Sequence, residues 1–369
     1  MRIYDTFLFG GELDLLEHRL RETCDLVDVF VLVEAAETFR GQKKPLAFKE
    51  NRARFAWADA KLRPLALDRL GPADWSPWRR EAFQRNALML GLRDAADDDI
   101  VLIADADEIV SRELLARLRA EGLTRPHRLA LTRHYEYLDQ IAPASACCPP
   151  REAPFPFVHP RQRPGAWDQL APGWREATAV AARFVDLRGD PAQGLPPRAA
   201  YDLRQLMHGA PVLDAAGDHF VSADPSMRGA RKLASVSHGE LADARALGAE
   251  HLSRVRRHGV HHHGWWYAET PTGPLPDHLA RLAERCPAML RSGPTPPLLV
   301  RRLVRTWAWL RFWPALGERF VAAVDRNFER LLPLLAPPLL VAGALRRLAA
   351  KAGWRWIGLA STGPQAHGH

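Results

Sequence analysis

Two short runs constrain this chain more than any other feature. VDVFVLV at residues 27–33 and IVLIA at residues 100–104 hold one polar residue between them. A strand with one wet face alternates polar and apolar side chains, whereas runs like these belong to strands covered on both faces. Helices are available to cover them. Glu12–Thr23 carries Leu13, Leu16 and Leu20 at helical spacing, with acids in its first turn. Arg79–Arg93 sets Phe83, Ala87, Leu88 and Leu92 on one stripe, and Ser111 stands where it can cap a further helix. Arg2–Phe9 reads as another strand and Gly10-Gly11 as a turn. Strands alternating with helices predict an α/β fold with a mainly parallel sheet flanked by helices.

The chain has 369 residues, 47% apolar and 25% charged, enough to bury a real core. That excludes a wholly disordered chain, a collagen-like chain and a disulfide-stapled mini-protein. Cys24, Cys147, Cys148 and Cys286 form no CxxC pair, which fits a reducing cytoplasm. The N-terminus lacks the basic and apolar regions of a signal peptide, and no apolar run reaches the ~20 residues that span a bilayer. The expected location is the cytoplasm, peripheral on the inner face of the membrane if the tail binds lipid.

Lys and Arg exceed Asp and Glu by 51 to 43, a net of +8, and the excess is local. From Pro294 onward there are eleven basic residues and three acidic ones, so the first 293 residues are neutral. With a neutral body and no recognised nucleic-acid module, no nucleic-acid partner is expected. Residues 143–175 are rich in Pro, Arg and Trp without a period, and read as a long loop. After Ser292 the sequence PTPP reads as a linker. The expected division is a domain over 1–292, split at about 142, and a basic, Trp- and Arg-rich helical tail over 293–369. Leu298–Trp313 sets Arg301, Arg302, Arg305 and Thr306 on one arc against Leu, Val and Trp. Such a helix suits an anionic membrane surface through 298–350. Packing onto the body, or onto another copy, is the other reading, and both stand.

The most informative stretch is DDDIVLIADADEI, residues 97–109. On an extended segment Asp105 and Asp107 face the same way, at the carboxyl end of an apolar strand, where ligands of open α/β sheets bind. Two carboxylates together repel, and a divalent cation removes that penalty. Hard oxygen donors select Mg²⁺ or Mn²⁺, whose open positions a diphosphate can complete, with Glu108 a further acid nearby. A solvated acidic turn capping the next helix is the plain alternative. A haloacid-dehalogenase-like phosphatase also places DxD after an apolar strand, with the first Asp as nucleophile. Against it, Ile109 stands where that family has Thr or Val.

The chain resembles glycosyltransferase family 17. The resemblance is carried by IYDTFLFGGELDLLEHRL at 3–20, VDVFVLVEAAETFRGQKKPLAF at 27–48 and REAFQRNALMLGL at 80–92, leading into DDIVLIADADEI. A weaker block, HFVSADPSMRGARKLASVSH at 219–238, carries His219, Lys232 and His238, with Glu240 two residues on. Together the blocks extend over about residues 1–290. The resemblance implies a GT-A-like fold and a nucleotide-sugar donor, UDP-GlcNAc. It also implies a divalent metal and a glycan or lipid-linked glycan acceptor. A β-linked product from an α-linked donor implies inversion by a single displacement, with a carboxylate taking the acceptor proton. A membrane-associated sugar-nucleotide-binding protein without catalysis is the non-enzymatic alternative.

Roles follow, each beside a plainer one. Asp105 and Asp107 are the expected metal ligands, with His219 or His238 completing the shell. Either histidine could instead be a hydrogen-bonded structural residue. Glu34, at the end of its strand, suits base or ribose contacts, or is a turn acid. Arg85 and Asn86 precede the DxD strand, where a guanidinium suits diphosphate oxygens. Arg85 can equally pair with Glu81 one helical turn earlier. Lys43 and Lys44 could reach phosphate, or lie in a solvated loop. For the base, Glu136, Asp139, Asp218 and Asp224 are candidates, and Asp107 and Glu108 are further catalytic acids. His261–His263 cannot all face one ion from regular structure. Trp265, Trp266 and Tyr267 suit either a sugar ring or packing.

Overall fold

A computed structural model describes residues 1–142, 175–189, 200, 204, 210–225, 248–261, 268–291, 296–311, 316 and 318–351. His238, Lys232, Glu240, His262, His263, Trp265, Trp266, Tyr267 and the Cys147-Cys148 pair lie outside the described residues. The chain divides into two compact units: residues 1–144, 163–237 and 269–292, and residues 145–162, 238–268 and 293–369.

The first unit is built on one sheet. Its strands are β1 (Ile3–Phe9), β2 (Val29–Ala35), β3 (Leu62–Leu67), β4 (Ile100–Asp105), β5 (Glu108–Val110), β6 (His127–Tyr135), β7 (Tyr137–Ile141), β8 (Arg175–Arg183) and β9 (Val212–Val221). The order is β3-β2-β1-β4-β8-β6-β9-β5, with β7 paired to β6. The first four strands are all parallel, as the alternation predicts. Beyond β4 the pairs β4–β8, β8–β6, β6–β7 and β9–β5 are antiparallel, and β6–β9 is parallel.

Both faces of the parallel half are covered. Ile3, Phe7 and Phe9 pack with Leu16 and Leu20 of α1 (Leu13–Thr23) and with Leu114, Leu115 and Leu118 of α4 (Arg112–Glu121). Tyr4 and Leu8 point the other way, into a cluster with Val31, Val33, Leu88 and Leu92. The period of two along β1 thus feeds two cores at once. Ser111 caps α4 as expected, accepting from the Leu114 N–H at 3.2 Å.

The second expected helix differs. α3 (Pro77–Asn86) gives way to a 3₁₀ turn over Ala87–Leu92, which rotates the stripe out of register. Phe83 is exposed and meets Trp75 edge-on, while Arg80, Glu81, Gln84 and Arg85 are buried. α2 (Ala47–Glu50) and α5 (Phe184–Arg188) are short connectors, and α7 (Asp277–Arg285) packs Leu279 and Leu282 with Leu15, Leu138 and Phe220.

The second unit contains α6 (Ala249–Arg257), α8 (Leu298–Leu310) and α9 (Glu318–Lys351). Val255, Leu303, Val304, Trp307, Val321, Val324 and Phe328 form its core. Asp325 is 6% exposed and gathers its polar groups. Its carboxylate accepts from Arg254 at 3.0 Å, from the Trp307 indole at 2.9 Å and from Arg311 at 2.8 Å. Arg301 is buried too, donating to the carbonyls of His258 and Ala268. Arg301 and Trp307 are therefore turned inward, onto the His258 and Ala268 carbonyls and onto Asp325, while Arg302 of the expected basic arc is exposed.

Gly217 fixes how β9 meets β5. Its φ is +142°, and a Cβ there would lie 2.1 Å from the Ile109 carbonyl oxygen. Since that neighbour is backbone, the contact cannot be relieved by a rotamer change. Gly217→Ala is expected to cost about 1–3 kcal/mol and to lower the thermal unfolding midpoint, checked by circular dichroism.

Candidate active site

β4 ends at Asp105, beside Leu8 of β1, and the chain turns through Ala106 and Asp107 before β5 leaves in a new direction. The turn therefore lies at the carboxyl end of the parallel strands. Its backbone is held by Arg19 of α1. That guanidinium is 1% exposed and donates to both Asp5 oxygens at 2.6 Å, a bidentate pair. Its remaining donors reach the Asp105 carbonyl at 3.0 Å and the Glu108 carbonyl at 2.8 Å, and it lies over the Phe7 ring.

Two further arginines hold the side chains. Arg85, also buried, donates to Asp105 at 2.8 Å and to Glu81 at 3.1 Å. The pair with Glu81 is thus present, and the DxD strand is added to it. Arg204 donates to the other Asp105 oxygen at 3.0 Å and to both Glu108 oxygens at 2.8 and 2.9 Å. Burial opposes the Arg204 charge, but the Asp105 and Glu108 carboxylates outweigh it and raise its pKa above the ordinary arginine value. Glu108 also accepts from the Asp105 N–H at 2.8 Å, closing the turn on itself.

Asp107 is 4% exposed and 3.9 Å from Nε2 of His219, which β9 brings opposite Glu108. The pleat expected to aim Asp105 and Asp107 together stops at Asp105, so the two carboxylates have different surroundings. Among the described residues no three His, Cys, Asp or Glu side chains gather as a cation cluster. Asp107 and His219 are a carboxylate and an imidazole at close approach; the carboxylate suits a hard divalent ion such as Mg²⁺ or Mn²⁺, whereas the imidazole suits a borderline first-row ion.

The other expected residues spread around this turn. Glu34 is 2% exposed, accepts from the Phe48 N–H at 3.1 Å and lies 3.8 Å from the Lys44 ammonium. Burial pushes the Glu34 carboxyl up and the Lys44 ammonium down. Asn86 ends α3, half-buried. Glu136 lies between β6 and β7 in the left-handed region, φ +65°, its N–H bonded to the Val221 carbonyl just after His219. Such strain in a non-glycine residue clusters at functional sites. Asp224 is 1% exposed and accepts from the Leu15 N–H at 3.4 Å, in the first turn of α1. Burial raises the pKa of Asp139, which accepts from the Arg291 N–H.

Alternation along β9 sends Asp218 and Phe220 to the face opposite His219. There Asp218 accepts from His134 and from His278, each at 2.8 Å. Nδ1 of His134 lies 2.7 Å from the Leu138 carbonyl, so the ring is held from both sides. Burial works against the Asp218 carboxylate, but these two hydrogen bonds outweigh it and hold Asp218 well below the usual range. Asp218 is therefore an anchor between two histidines. Beneath Phe220, burial drives His18 down to about 3, leaving it a neutral acceptor for Arg285.

A parallel half closed by an arginine-clamped acidic turn can be compared with known proteins. Residues 1–140 match glycosyltransferase family 17. The match takes in β1 to β6, most of β7 and the whole Asp105–Glu108 turn, while Arg204 and the block at 219–238 lie beyond it. The β-1,4-mannosyl-glycoprotein 4-β-N-acetylglucosaminyltransferase of Rattus norvegicus is 32% identical over 133 residues, 34% of this chain and 25% of that protein. The Homo sapiens protein of the same name gives the same identity and coverage. This chain thus spans about a quarter of the length of these relatives. Among solved structures, 2-C-methyl-D-erythritol 4-phosphate cytidylyltransferase of Francisella tularensis aligns at 12% identity and TM-score 0.30. It covers 58% of this chain and 90% of that one, and at that score it carries no argument.

Sequence reasoning missed three groups. Asp5 and Arg19 sit inside the first family block, and a charged residue inside an apolar strand was the available signal. Arg204 had none, being one arginine in an unpatterned stretch. The His134–Asp218–His278 cluster is assembled from three distant elements. Arg19→Met strips Asp5 of its cation and is expected to cost about 3–5 kcal/mol in urea unfolding. For His278, burial lowers the pKa, yet the Asp218 bond and charge outweigh it and raise the folded value above the ordinary 6.5. Its stabilisation is therefore complete below about pH 6.5 and lost as pH rises through the folded value. The gap in urea midpoint between the natural chain and His278→Gln should be wider at low pH than at high pH, and a gap that widens toward alkaline pH would contradict this.

Proposed function

We propose that this chain is a metal-dependent glycosyltransferase that transfers GlcNAc from UDP-GlcNAc to a glycan or lipid-linked glycan acceptor with inversion. The observation that carries the reading is Asp107 beside His219 on the clamped turn, within and next to the family 17 match. Mn²⁺ or Mg²⁺ would be held by Asp107 and His219, with Asp105 and His238 the further candidates. When bound, the ion would stabilise the departing diphosphate.

The chain's own groups have distinct tasks. Arg19 and Arg204 keep the turn in one shape, so Asp107 need not reorganise when the donor arrives. Glu34, Lys44, Arg85 and Asn86 line the same strand ends as donor-side residues. Arg85 acts through Asp105, because its guanidinium is already bonded there. Glu136 is the preferred base, being strained and bonded to the end of β9, whereas Asp224 is committed to α1. The base takes the acceptor hydroxyl proton as its oxygen bonds to the anomeric carbon and the bond to the diphosphate breaks.

The phosphatase reading needs Asp105 as an accessible nucleophile. Both Asp105 oxygens are engaged by guanidinium groups, which disfavours it. No described helix is long and apolar enough to cross a membrane. For location we propose the cytoplasm, with the tail against an anionic membrane surface. The test is UDP release from UDP-GlcNAc with Mn²⁺. EDTA should abolish it and Asp107→Ala should lower it at least about 100-fold, the scale of losing one principal electrostatic group. Full activity in Asp107→Ala would overturn the assignment. Donor binding without transfer to any of a broad set of acceptors would favour the binding-protein alternative.

A further inference from the structure

The tail holds the net charge of the chain, but Arg301 of its first helix and Arg311 just beyond that helix are buried, while Arg302 is exposed. The most exposed apolar side chains of the tail's described residues lie in the second half of α9. From Leu331 to Leu345 the sequence has no charged residue. Within that run Leu334 is 74% exposed, Val341 60% and Leu340 46%. Phe320, Ala323, Asn327, Arg330, Leu334, Pro337 and Val341 are all exposed and recur at alternating spacings of three and four, so they form one face. That face is mixed in its first half, with Asn327 and Arg330 beside Phe320 and Ala323, and apolar in its second.

Charge brackets the apolar half. Arg330 precedes it, and Arg346, Arg347 and Lys351 follow it in the sequence. The nearby acid Glu329 lies 3.7 Å from Arg257. At 1.5 Å per residue the uncharged run is about 22 Å long, short of the ~30 Å hydrocarbon core. It can lie on a bilayer but cannot span one. The helix also contains Pro333, Pro337 and Pro338. Each lacks the N–H that would bond the carbonyl four residues earlier, at Glu329, Pro333 and Leu334. Those carbonyls need water or headgroup donors and would be desolvated at a dry protein interface.

We infer that residues 331–347 form a lipid-docking segment that lies along an anionic bilayer surface. Leu334, Leu340 and Val341 enter the acyl boundary, and the exposed Arg330 at the start of the segment meets the headgroup charge. A second copy of this chain would bring the same basic brackets to the face, whereas an anionic surface neutralises them. The inference narrows the membrane part of the reading above to one segment and is independent of the transfer chemistry.

The full chain is tested by co-sedimentation with vesicles of phosphatidylglycerol and phosphatidylcholine, and with phosphatidylcholine alone. Binding should be at least about tenfold stronger to the anionic vesicles, and should weaken with salt. The double variant Leu334→Glu, Val341→Glu should lose at least about tenfold in binding. Its circular dichroism and its UDP release in vesicle-free buffer should not change, since both positions are exposed. Undiminished vesicle binding by the double variant, or equal binding to neutral vesicles, overturns the inference. So does a dimer that depends on Leu334, seen by light scattering, without vesicle binding. UDP release without vesicles reads the transfer proposal separately, so either can fail alone.

Discussion

The site depends on one buried guanidinium. A cation as deeply placed as Arg19 is tolerable only if its charge and its donors are both answered. Asp5 answers the charge, and the carbonyls of Asp105 and Glu108 take the remaining donors. Three pieces of chain are thereby tied at one point: the middle of β1, the second turn of α1 and the acidic turn after β4. The turn's path follows from a residue about ninety positions earlier, and its own sequence decides only what it presents. Arg85 and Arg204 then restrain Asp105 and Glu108, which gives Asp107 its separate environment against His219.

The parallel half was legible because its strands are apolar on both faces, and only a covered parallel sheet explains VDVFVLV and IVLIA. α1 and the Ser111 cap were legible for the same reason, since periodicity and a capping hydroxyl are local signals. α3 was not, because Phe83, Ala87, Leu88 and Leu92 share a stripe only if the helix stays regular. The change to 3₁₀ geometry at Ala87 breaks that condition, and tertiary contact with Asp105 draws Arg85 inward instead. In the site, the acidic turn could be read, and His219 and Arg85 were within reach of the family blocks that contain them. Arg204 was not, because it lies between β8 and β9 with no short pattern to announce it.

Charge in the tail had invited two accounts, a membrane surface and internal packing, and the structure gives different residues to each. Arg254 and Arg311 are internal cations, held with Trp307 on the one carboxylate of Asp325. The outer face of α9 is a separate matter of exposure. Counting arginines could not separate these, since a guanidinium bonded to a carbonyl and one in water look identical in sequence.

The way the chain is threaded bears on how it can be cut. Residues 238–268 belong with 293–369, and the intervening 269–292 return to the first unit. Ending the chain at 292 would therefore not trim an appendage. It would leave α6 with Val255 uncovered and Arg254 without Asp325, so the shortened protein would carry an open apolar surface and a stranded cation. A separable catalytic fragment would have to lose α6 as well, and would need a new connection between 237 and 269.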